Sequence, residues 1–138
     1  MKIALWIVQI LLAFAFGAAG AFKAFTPHAQ LAEAMPWVLD APVWLPTFIG
    51  VAEIAGALGL ILPAATRIKP QLTPLAAIGL VIVMVLAMGF HLSRGEFAMV
   101  PPNVVLALLA GFVAYGRMTL APVEPRGVEH TTRASAAA

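Results

Sequence analysis

Residues Pro46 to Pro63 read PTFIGVAEIAGALGLILP, a run of apolar and small side chains with one carboxylate, Glu53, near its middle. At ~1.5 Å of rise per residue, a run of this length spans most of the ~30 Å hydrocarbon core of a bilayer. Three more apolar blocks match it in character: Ile3 to Phe22, Leu72 to Leu92 and Val100 to Tyr115, the 46–63 run contributing Pro46 to Leu62. None alternates with the period of a barrel strand, and backbone groups in lipid must be satisfied within the segment, so all four are read as helices. The expected fold is all-α: a four-transmembrane-helix bundle with a short interfacial helix between helices 1 and 2. The last block is the shortest, and tilt or its flanks make up the difference.

Composition supports a membrane location. Of 138 residues 62% are hydrophobic and 10% charged, with a mean hydropathy of +0.99. A soluble core of this size needs a polar shell that this chain lacks. The net charge of +2 comes from basic residues scattered singly at the ends of apolar blocks, so no nucleic-acid surface is expected. Cysteine is absent, which removes disulfides, thiol relays, Cys-ligated zinc and Fe–S clusters. The first block admits a second reading as a cleaved secretory signal, since Lys2 precedes it and GAAGA offers small residues. Its length exceeds the ~7–15-residue core of such signals and favours a retained helix.

With four spans both termini share a side. Lys2, Arg67, Lys69, Arg117, Arg126 and Arg133 fall there, against Lys23 and Arg94 opposite. The positive-inside rule then places both termini in the cytoplasm of a multi-pass protein of the plasma (inner) membrane. The outer connection Ala24 to Leu45 carries Thr26-Pro27 before HAQLAEAM, a helix-start pattern, with Leu31 and Met35 on the apolar side of a short helix. Trp37 and Trp44 suit the membrane–water boundary. The four-helix transmembrane domain is taken as 1–118, and the polar, irregular stretch 119–138 as a disordered cytoplasmic tail.

Depth follows from rise. Glu53 lies seven residues after Pro46, roughly 10 Å below the outer boundary. Lys23 at the end of helix 1, His91 near the end of helix 3, Glu96 just beyond it and Asn103 in the first turn of helix 4 reach a similar height. Gly50, Gly56 and Ala57 share the Glu53 face, and small residues favour close helix contact. Helix 1 shows Gln9, Ala13, Gly17 and Ala21 at four-residue spacing, helix 4 shows Asn103, Ala107, Ala110 and Ala114, and helix 3 carries Met84, Met88 and His91. A bundle with an outward polar pocket lined by Lys23, Glu53, His91, Glu96 and Asn103 accounts for these patterns, with Glu53 and His91 as the candidates for chemistry.

Plainer roles stand beside each. Glu53 serves equally as protonated packing glue, His91 as an interfacial residue, Lys23 as a snorkelling anchor, the methionines as core filler, Arg94-Gly95 as a helix stop and Gln9 as an interhelical hydrogen bond. No ligand-spacing signature supports a metal. Haem is not expected, because His28 lies in the outer loop and His130 in the tail, leaving His91 alone in the bundle.

The stretches FIGVAEIAGALGLILP (48–63), TPLAAIGLVIVM (73–84), FHLSRGE (90–96), FVAYGR (112–117) and GAAGAFKAF in helix 1 together resemble the DoxX-like family of small four-helix membrane proteins. The resemblance implies Lys23, Glu53, His91 and Glu96 as recurring polar positions. It also implies association with quinone-linked oxidoreductase systems, including a subunit of an archaeal thiosulfate:quinone oxidoreductase and a mycobacterial membrane oxidoreductase complex, while an animal branch resembles receptor-assembly chaperones. The lack of Cys departs from any member that itself handles thiols. Two functions follow as expectations: an accessory redox or apolar-ligand subunit, with quinone the suggested ligand, or a scaffold gripping a partner's transmembrane helices. Partners are then the lipid bilayer and either another membrane protein or a second copy; whether the chain is an enzyme stays open.

Overall fold

The computed structural model describes residues 1–127. His130, Arg133 and most of the segment expected to be a disordered tail lie outside the described residues. Helix α1 runs Lys2–Phe25, α2 His28–Ala34, α3 Leu45–Thr66, α4 Leu72–Ser93 and α5 Val100–Tyr115. A 3₁₀ turn, Pro36–Asp40, joins α2 to α3; another, Phe97–Met99, leads into α5, and a π turn, Gly116–Leu120, continues it.

Proline sets the boundaries at the α2 end. A residue before proline is pushed out of the helical region. Thr26, before Pro27, is extended at φ −81°, ψ 132°, and ends α1. Met35, before Pro36, leaves the helical region at φ −133°, ψ 81° and ends α2. Prolines in the first turns of α3 and α5 occupy positions whose N–H needs no helical partner. At the opposite end α3 stops on Arg67, which takes a left-handed φ of 59°.

Four segments are long and apolar enough to cross a membrane: Lys2–Phe25, Leu45–Thr66, Leu72–Ser93 and Phe97–Leu120. The fourth reaches that length by adding its flanking turns to α5. The chain runs up and down, α1 packing along α3, α3 against α4, and α4 along α5, with a lighter α1–α5 contact closing the bundle. Leu12, Phe16, Ala57, Leu60, Leu80, Met84 and Val113 meet in the core. Outside it, Ile7, Leu11, Phe14, Phe48, Leu58, Ile82, Leu86 and Leu108 stand exposed. Helices apolar on both faces are stable only where hydrocarbon replaces water, and the protein is an integral multi-pass membrane bundle.

The inward faces differ in detail from the small-residue stripes. On α1 the buried stripe is Leu5, Gln9, Leu12, Phe16 and Gly20; Ala13, Gly17 and Ala21 lie on its half-buried edge. On α5 Ala110 and Ala114 are buried while Asn103 and Ala107 are half-buried, and on α4 Met84 and His91 are buried beside half-buried Met88. Large side chains fill the middle of the bundle, and Gly20 and Gly50 stand where two helix backbones approach closely.

The α2 segment is anchored by Leu31 and Val38, at 2% and 0% exposure. Gln30 and Glu33 are exposed, whereas Met35 is half-buried. Cysteines at Gln30 and Glu33 are therefore expected to react with an impermeant maleimide, and those at Leu31 and Met35 to be protected. Equal labelling at all four positions would contradict the docked arrangement of this segment.

Candidate functional site

The site begins with two glycines. A Cβ at Gly20 would fall 2.6 Å from the Gly50 carbonyl oxygen, and one at Gly50 would fall 2.5 Å from the Gly20 carbonyl oxygen and 2.7 Å from the Ala24 nitrogen. The backbones of α1 and α3 touch here because neither residue has a side chain. One turn further along each helix, that approach brings Lys23 to Glu53. Lys23 Nζ donates to both carboxylate oxygens, at 3.0 Å to Oε1 and 2.8 Å to Oε2. The Glu53 side chain is 3% exposed and that of Lys23 12%. The carboxylate thus carries its counter-ion with it, which largely offsets the cost of an unpaired charge in hydrocarbon.

His91 stands on the last turn of α4. The helix ends through Arg94 and Gly95, the latter at φ +73°, with Glu96 N–H donating to the His91 carbonyl at 2.9 Å and Gly95 N–H to that of Leu92 at 3.1 Å. This is a Schellman turn, and glycine supplies its left-handed residue. The turn folds Glu96 back over the helix end, where its Oε2 lies 2.6 Å from His91 Nδ1. Arg94 Nε donates to Glu96 Oε1 at 3.0 Å, and Arg94 Nη1 pairs with Asp40 at the end of the 3₁₀ turn. Hydrogen bonding from the His91 ring, and then from Arg94, holds the Glu96 carboxyl below the usual carboxylate range. Phe90 fills out the clasp, edge-on to Trp37 at 5.7 Å and beneath the Arg94 guanidinium at 5.6 Å.

Between the Lys23–Glu53 ion pair and the His91–Glu96 hydrogen bond lies a cavity of about 520 Å³, and Lys23, Glu53, His91, Glu96 and Asn103 all line it. Most of its remaining wall is apolar, from Trp37, Phe48, Met84, Ala87 and Phe90 among others. Asn103 is positioned by the first turn of α5, and its Nδ2 is buried without a hydrogen-bond partner among the described residues. His91 uses Nδ1 on Glu96, which leaves Nε2 with no protein partner among them. If neutral with its proton on Nδ1, the ring presents Nε2 as an acceptor; as imidazolium it presents a second donor. An apolar enclosure of this size with a few convergent polar groups has the form of a small-molecule site.

Asp40 was missed by sequence reasoning. A lone acidic residue at the end of a loop carries no signal of its own, and its partner Arg94 is 54 positions away. Arg94, a helix stop by sequence, fills that place and also ties the α2 segment to the α4–α5 turn. Gln9 does make the expected interhelical bond, donating from Nε2 to the Leu60 carbonyl at 2.5 Å. Its other partner was not foreseen: Arg117 Nε donates to Gln9 Oε1 at 2.6 Å.

Comparison with curated proteins and with solved structures finds no match. The sequence pattern of the DoxX-like family matches residues 7–113. That range takes in parts of all four long apolar segments and every residue lining the cavity just described, and the chain belongs to the DoxX-like family.

Proposed function

We propose that this protein is an accessory membrane subunit whose cavity, opening toward the outer face, takes the polar head of a small apolar ligand of quinone type. The observation that carries the reading is the unpartnered Asn103 Nδ2 in an apolar cavity flanked by the Lys23–Glu53 and His91–Glu96 pairs. A quinone head offers two carbonyl acceptors, and Asn103, Lys23 and protonated His91 are donors suited to them. Glu53 is already engaged through both oxygens, so its part is to hold Lys23 charged and in place. His91, oriented by Glu96, is the group suited to giving or taking a proton at the ligand.

The orientation rests on the six-to-two distribution of basic residues. A reporter fused after Ala138 is expected to be active only in a form that works in the cytoplasm, and periplasmic activity of the full-length fusion would reverse the assignment. The ligand is tested by native mass spectrometry of the protein extracted from its own membrane. A stoichiometric quinone-sized adduct, lost in His91→Ala, supports the reading. A stoichiometric protein partner with an empty cavity would instead favour a scaffold that grips a partner's helices.

A further inference from the structure

At the opposite end of the bundle, where α3 ends and α4 begins, Arg117 is folded inward at 5% exposure. Its guanidinium lies over the Trp6 ring at 5.2 Å. Nε donates to Gln9 Oε1 at 2.6 Å and Nη1 to the Ala121 carbonyl at 3.2 Å. Both acceptors are neutral, and Nη2 is buried with no partner among the described residues. A buried guanidinium served only by neutral acceptors lacks the counter-charge that burial of an ion ordinarily demands.

The surroundings favour an anion. Arg117 lines a cleft of about 450 Å³ together with Gln71, Pro74, Leu75, Pro122 and Val123. The cleft lies against the first turn of α4, whose N-cap residue, Gln71, makes no side-chain capping bond. Leu72 and Thr73 N–H are taken by the Lys69 and Pro70 carbonyls at 3.0 and 3.1 Å and Pro74 has no N–H, so this turn favours an anion only through the positive end of a 22-residue helix dipole. Lys2, Arg67, Lys69 and Arg126 also belong to this end, with Glu124 the one acidic residue placed there by the described chain. Arg117 lies beyond the matched residues 7–113, so the family pattern does not assign it a role.

We propose that this cleft binds a phosphate-class anion, anchored by the third nitrogen of Arg117 and favoured by the positive end of the α4 dipole. Either the headgroup of an anionic phospholipid at the membrane surface or free phosphate has the required chemistry, since both offer the oxygen acceptors a guanidinium fork prefers. No bond is made or broken; the site holds its occupant by charge and hydrogen bonding.

The test uses the full-length protein in detergent. Dioleoyl phosphatidylglycerol and dioleoyl phosphatidylcholine are compared as ligands by native mass spectrometry, and inorganic phosphate is titrated in thermal unfolding against chloride at matched ionic strength. Preference for phosphatidylglycerol of at least tenfold, with no effect of inorganic phosphate, identifies a lipid headgroup. A saturable rise in Tm with inorganic phosphate identifies a soluble anion. In either case Gln71→Glu, an exposed change that sets a carboxylate on the cleft wall, is expected to weaken binding at least tenfold without lowering Tm in the absence of ligand. Arg117→Lys, which keeps the charge and loses the fork, is expected to weaken it less. Equal retention of both lipids with no phosphate effect, or anion binding undiminished in Gln71→Glu, overturns the proposal.

Discussion

Replacing Glu53 with Gln is expected to lower the stability of the bundle by about 2 kcal/mol, between two limits. An ordinary intramembrane hydrogen bond contributes only ~0.6 kcal/mol, whereas orphaning one member of a buried ion pair costs about 3–5 kcal/mol. Lys23 is the member left behind. It lies in the last turn of α1 with 12% of its side chain exposed, so its ammonium relieves part of the penalty by snorkelling toward the membrane surface. Exchanging both partners for apolar residues, Lys23→Met with Glu53→Leu, is expected to restore most of the loss, because apolar replacement of a buried pair is commonly close to neutral.

The pair of variants separates packing from function. Under the proposed role the double variant is folded and near wild-type in thermal unfolding, yet no longer retains the cavity ligand. His91→Ala loses the ligand as well, with a smaller effect on stability. A double variant that is stable and also retains ligand at wild-type stoichiometry would reduce Lys23 and Glu53 to packing and remove them from the site.

The second large effect is expected at the α1–α3 crossing. In Gly50→Ala the new methyl meets two backbone atoms and Lys23 Cβ at 3.0 Å; in Gly20→Ala it meets the Gly50 carbonyl and Glu53 Cβ at 3.0 Å. Backbone cannot swing aside as a flexible side chain does, so the helices must part. Overpacking of this kind costs about 1–3 kcal/mol and occasionally more, against a gain of at most about 1 kcal/mol in helix propensity. Each variant is expected to lower Tm, and the combined variant to fail to accumulate in the membrane. Gly79→Ala, Gly89→Ala and Gly111→Ala are the controls, since a Cβ there meets nothing within 4 Å. Gly50→Ala melting at the same temperature as those controls would mean that the crossing is looser than the structure has it. Parting α1 from α3 also draws Lys23 away from Glu53, so ligand retention is expected to fall along with stability.

Much of this architecture was legible in the residues one by one. The spans follow from length and from the need to satisfy backbone groups in lipid. Because the helical rise is fixed, so does the shared height of Lys23, Glu53, His91, Glu96 and Asn103. Gly95 marks the end of α4 in sequence because only a left-handed residue closes that turn cheaply, and the His91–Glu96 contact is a local consequence five residues long. The direction each helix faces was a different matter. In a soluble protein the polar face declares which side is buried, but here both sides of each spanning helix are apolar, and the four-residue stripe on α1 pointed to the edge of its buried face instead of to Leu12 and Phe16 at the centre. Arg117 illustrates the same limit. By position it counts as one more basic residue at a helix end; its burial depends on Gln9, 108 positions earlier, and on the turn that folds it inward. Sequence alone determined how many helices cross, and at what height each polar group sits, because those depend on distance along the chain. Which groups meet was decided by tertiary structure, because a bundle in hydrocarbon chooses its inward faces by how closely backbones fit and where charges find partners.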